Sequence, residues 1–101
     1  EIPELAALHA RYKGRGLVVI GIAVEDSDKR DQLREFGRAY EMNYNSLIGG
    51  TQESIELMQA LGNSQAGLPF TVTIDRDGRI RSRELGAMDQ SEMEAAVTPI
   101  L

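Results

Sequence analysis

Cysteine is absent from the 101 residues, and so is tryptophan. Without a thiol these residues hold no disulfide, no thiolate metal site and no thiol nucleophile. The lone histidine, His9, gives no basis for a zinc site. No apolar run approaches the ~20 residues needed to span a bilayer, and no signal peptide is recognisable. Basic residues are outnumbered, 11 against 16 acidic, and are spread along the chain, for a net charge of −5. Nucleic acid and anionic membranes are therefore not expected partners. Nothing in the composition calls for a metal or an organic cofactor.

What is present describes a folded chain. A hydrophobic content of 42% with mixed charges indicates a globular protein and not a disordered one, expected to be a single domain over residues 1–101 without repeat or linker. Glu1 to Tyr12 reads as a helix already under way, with Ile2, Leu5, Leu8 and Tyr12 on one face. Pro3 is tolerable in its first turn, and Gly14 and Gly16 stop it. Leu17 to Val24 is nearly continuous in apolar, mostly β-branched residues, the pattern of a parallel strand covered on both faces. Gly14-x-Gly16 precedes that strand, so it is not a dinucleotide fingerprint.

Asp26-Ser27-Asp28 then opens a helix to about Met42, with Leu33, Phe36, Gly37 and Tyr40 as its inward stripe. The acidic cluster lacks the glycine and terminal glutamate of a calcium loop, and helix capping explains it better. A short extended piece follows in Asn43 to Ile48. Gly49-Gly50-Thr51 opens another helix, with Thr51 as cap, Ile55, Met58 and Leu61 inward and Gly62 as stop. Two glycines before a helix can bind phosphate, but no P-loop lysine follows them. Near the end, Ser91 to Glu94 reads as a capping box for a last helix that buries Met93, Ala96 and Val97 before Pro99.

The central stretch is Gly67-Leu68-Pro69-Phe70-Thr71-Val72-Thr73-Ile74-Asp75-Arg76-Asp77-Gly78. Phe70, Val72 and Ile74 alternate with threonines, as a pleated strand requires. Asp75 to Gly78 is turn chemistry leading into a second strand. Pro69 lacks an N–H and belongs at the strand's first position. Arg79, Arg81 and Arg83 read as a solvated strand edge, with an anion site as the alternative.

This stretch resembles the proline loop and hairpin of TlpA/ResA-like thiol–disulfide oxidoreductases. The likeness extends over the order of elements and to Glu1-Ile2-Pro3-Glu4-Leu5, which looks like the end of that family's W-C-x-x-C-x-x-E-x-P-x-L run. It implies a thioredoxin-like three-layer α/β sandwich with a mixed sheet, lacking its first, central strand. It also implies a cis Pro69 facing catalytic cysteines that stand just upstream of Glu1, outside the chain. Leu68, Pro69 and Phe70 would then hold the substrate, and Glu1 would tune the cysteines' proton chemistry; a plain surface carboxylate in a helix's first turn is the other reading of Glu1. His9 reads as an ordinary helix residue.

The expected partners are protein thiols and disulfides, and the expected setting is extracytoplasmic, periplasmic, with membrane anchoring left to a longer parent. The alternative is a redox-inactive thioredoxin-like module that binds an extended peptide around Leu68-Pro69-Phe70; a peroxide-reducing relative fits the proline loop less well. As written, the chain cannot exchange thiols. Lacking its central strand, it is expected to be marginal as a monomer, with swapping between chains or a homo-oligomer as one remedy.

Overall fold

A computed structural model describes residues 1–101, all of the chain. Helix α1 spans Ile2–Tyr12 and strand β1 Ile20–Ala23; helix α2 spans Arg30–Ala39 and strand β2 Asn45–Ile48. Helix α3 covers Thr51–Ala60, strands β3 and β4 Phe70–Ile74 and Ile80–Leu85, and helix α4 Gln90–Val97. Short 3₁₀ turns follow α1 and α4 and precede α2. This is an α/β chain with an incomplete thioredoxin-like arrangement.

The sheet is not continuous. β1 pairs in parallel with β2, β3 pairs antiparallel with β4, and the two pairs form separate two-stranded sheets. The mixed sheet expected without its first, central strand is thus present as two pieces, because no strand of residues 1–101 bridges β1 and β3. The same gap corrects the reading of Leu17–Val24. Leu17 is buried and Val19 packs on the core, but Val18, Ile20 and Ile22 are exposed. The run is apolar enough for a strand covered on both faces, yet only one face of it is covered here.

Cohesion comes from α1 and α4. Leu8 and Tyr12 from α1 meet Leu17, Met88, Met93 and Val97 in one buried cluster, with Met93 only 1% exposed. Burying a side chain of this size contributes roughly 1.5–3 kcal/mol, so this small cluster dominates the balance. At its rim, Glu94 accepts hydrogen bonds from the Tyr12 hydroxyl and from Arg11. That bond to Glu94, followed by loss of hydration, raises the Tyr12 phenol above its usual pKa.

Helix ends follow the expected chemistry with shifted residues. The capping box of α4 is Asp89 with Glu92, two positions before the one expected at Ser91–Glu94. Asp26 does not cap the helix that follows it. Its carboxylate accepts the N–H of Thr51 at 2.9 Å, so it caps α3 from across the β1–β2 pair, and Thr51 contributes its backbone instead of its hydroxyl. A carboxylate suits any nearby helix N-terminus, whichever helix it precedes in sequence. The stripe expected on α2 is only half realised. Leu33 and Gly37 are half-buried, whereas Phe36 and Tyr40 stack on each other in solvent, because the sheet beneath is two strands wide.

Candidate functional site

The loop entering β3 is built to display residues. Asn63 is buried just beyond the end of α3 and grips the loop from both sides. Its amide nitrogen donates to the Gly67 carbonyl at 2.8 Å, and its amide oxygen accepts the Gly67 N–H at 3.3 Å. Ala66, just before, adopts a left-handed φ of 52° to make the turn. Leu68 then stands 63% exposed, Pro69 is exposed, and Phe70 is half-buried as β3 begins. The Leu68–Pro69 peptide is cis.

The far side of the loop is held by the segment after β4. Gly86, at a φ of 106° that favours glycine, donates its N–H to the Pro69 carbonyl at 2.9 Å. Two residues on, the Met88 N–H donates to Glu1 Oε2, also at 2.9 Å. Segment 86–88 therefore hydrogen-bonds both the proline loop and the first turn of α1. Sequence reasoning singled out Glu1, Leu68, Pro69 and Phe70, and the backbone of this segment joins two of them, Pro69 and Glu1. Glu1 is a partly shielded carboxylate with a fixed partner, and not a free surface group.

Tyr44 completes this neighbourhood. It is buried just before β2, and burial, followed by the Glu1 charge, pushes its phenol above the ordinary value. Gly21 gives its ring room, since a Cβ there would sit 3.2 Å from the ring edge. The hairpin that β3 enters is fixed by Asp75. Its Oδ1 accepts the N–H groups of Asp77 and Arg79, and its Oδ2 pairs with Arg81 at 3.3 Å. The Arg79 N–H, above all, holds the Asp75 carboxyl below its usual range. Gly78 takes the positive φ, 82°, that the tight turn needs.

Asn63 and Tyr44 were missed in sequence, and Arg83 has a further role. Asn63 was not singled out, although an amide that both donates and accepts is the side chain suited to clamp a short polar loop. Arg83 has the pattern of a solvated edge residue, but its Nε donates to the Leu61 carbonyl at 2.7 Å, fastening the end of α3 to β4. No group of three or more His, Cys, Asp or Glu is placed to hold a metal ion. No helix is long and apolar enough to cross a membrane.

An α/β frame carrying a clamped, displayed proline loop ahead of a β-hairpin defines a redoxin-type domain. The chain belongs to the AhpC/TSA family, whose model matches residues 1–83. Membership points to thiol-based redox function of the peroxiredoxin and thiol–disulfide kind, although these residues contain no cysteine. None of the curated proteins compared with the chain matches it.

Proposed function

We propose that residues 1–101 form most of a single TlpA/ResA-like domain, part of a thiol–disulfide oxidoreductase that reduces protein disulfides outside the cytoplasm. Its Cys-x-x-Cys motif stands just upstream of Glu1. The first cysteine, at a helix N-terminus, is held as thiolate by the helix dipole. It attacks a sulfur of the partner's disulfide, forming a mixed disulfide and expelling the partner's other sulfur as thiolate. The second cysteine then attacks the mixed disulfide, closing the enzyme's own disulfide and releasing the reduced partner. The dithiol loses two electrons and the partner gains them. In this reading Leu68, Pro69 and Phe70 present a backbone edge to the partner's extended chain. Glu1 tunes the proton chemistry of the cysteines.

The observation that carries this reading is the proline loop: exposed at Leu68 and Pro69, yet held on both sides by Asn63 and Gly86. The test is thiol–disulfide exchange between the cysteine-bearing parent and a peptide mixed disulfide. Pro69→Ala is expected to slow exchange and release of the partner. Unchanged kinetics would count against the assigned role of the loop.

A second reading is favoured by the absence of cysteine alone: a redox-inactive module that binds an extended peptide at the same loop. Mass spectrometry of the native protein, before and after reduction and alkylation, separates the two. Two added alkyl groups support the oxidoreductase, and none supports the binding module.

A further inference from the structure

Between α2 and β2 runs a groove of about 760 Å³ that the thiol chemistry does not use. One wall carries Arg30, Arg34 and Arg38, and the floor and opposite wall carry Leu33, Met42 and Leu47. The arginines follow at four-residue spacing, which stacks them one turn apart along a single face of α2. Like charges at this spacing are unfavourable to the helix. Asp31 and Glu35 lie three residues before Arg34 and Arg38, close enough to pair, yet none of the three guanidiniums closes an ion pair. The only carboxylate lining the groove is Glu41, so it is cationic within a chain of net charge −5.

The opposite wall is also unpartnered. β2 has one neighbour, β1, which leaves its outer edge unpaired, and Leu47 on it is 54% exposed. An unpaired strand edge is a template for another extended chain. The spacing of the two walls selects that chain. The backbone positions of these arginines rise by about 6 Å from one to the next along α2. Side chains at alternate positions of an extended peptide repeat at about 6.7 Å and point to one side, while those between them point to the other.

We infer that this groove binds an extended segment of a partner protein in which acidic residues alternate with apolar ones. The acidic side chains point to the α2 side and meet Arg30, Arg34 and Arg38; the apolar ones between them point to the opposite face of the peptide. The main chain lies along the free edge of β2. This surface is separate from the proline loop, so the inference stands or falls independently of the thiol chemistry.

The test is binding of a fluorescein-labelled synthetic nonapeptide of alternating glutamate and valine to the full chain, followed by anisotropy. Arg34→Glu with Arg38→Glu should weaken binding about tenfold or more, and a lysine–valine nonapeptide should then bind that variant better than it binds the parent. Glu41→Gln, which removes the one opposing charge, should tighten the acidic peptide several-fold. These arginines are exposed, and an unchanged circular dichroism spectrum confirms that the variants fold. Three results would overturn the inference. One is equal binding of a peptide with the same composition but its glutamates in one block, since charge alone would then suffice. Another is charge-reversal variants that bind as the parent does. The last is peptide-independent self-association through β2, which would make a second copy the occupant.

Discussion

Glu1 Oε2 accepts the Met88 backbone N–H at 2.9 Å across 87 positions of sequence, tying the first turn of α1 to the turn that leads into α4. The contact joins the ends of the cluster that holds the molecule together. A hydrogen bond to a charged acceptor is worth about 1.5–3 kcal/mol. Glu1→Ala is therefore expected to lower unfolding free energy by about that amount in urea titration, and Glu1→Gln by less, because an amide oxygen can still accept. If both variants match the parent, the contact does not contribute to stability.

Asn63 makes a different kind of bond, two at once to a single residue. Asn63→Ala leaves the Gly67 N–H and carbonyl without the side chain that serves both, at a cost of about 1–3 kcal/mol. Asn63→Asp keeps the acceptor and loses the donor, so it should fall between. Broadened or shifted amide signals from Leu68 and Phe70 in the alanine variant would locate the effect in the proline loop.

Ala66 should respond in the opposite sense. A non-glycine residue in the left-handed region costs about 1–2 kcal/mol, and glycine's extra freedom in the unfolded chain returns about 0.5–1 kcal/mol of that. Ala66→Gly is thus expected to raise stability modestly, by about 0.5–1 kcal/mol. A drop in thermal midpoint would show that the methyl group makes a contact of greater worth.

Stability should depend on pH at both extremes. The folded-state pKa of Asp75 is depressed, so its contribution is present above the unfolded value and is lost as pH falls through the folded one. The stability gap between the parent and Asp75→Asn should begin to narrow below about pH 4 and close only below the depressed folded value. For Tyr12 and Tyr44 the folded values are raised, so their contribution holds below the unfolded pKa and is lost as pH rises above about 10. Tyr12→Phe and Tyr44→Phe should each flatten that alkaline decline in thermal melts.

Helix and strand types were legible in sequence because they rest on local periodicity. Leu8 and Tyr12 on α1, and Met93 and Val97 on α4, bury as their spacing requires. The less legible features all depend on what lies across space. Asp26 has the chemistry of a cap, but only the fold decides that it serves Thr51, 25 positions on. Phe36 and Tyr40 have the spacing of a buried stripe, but burial needs a surface wide enough to receive them. Ile20 and Ile22 carry the pattern of a strand covered on both faces and are covered on one. At the site, the proline loop was legible as turn and strand chemistry, whereas its clamp, Asn63, was not. One polar side chain in a loop looks like any other until its partner is placed.

The pairing of α1 with α4 also sets the order in which the chain can be completed. Arg11 meets Glu94 across 83 positions, and the buried cluster draws on residues from both sides of that span. Closing so long a loop costs chain entropy before any core contact repays it. During synthesis, α1 must therefore wait for its contact with α4 until the segment around Met93 clears the ribosome. In that interval the nascent chain is most exposed to chaperones and to wrong partners.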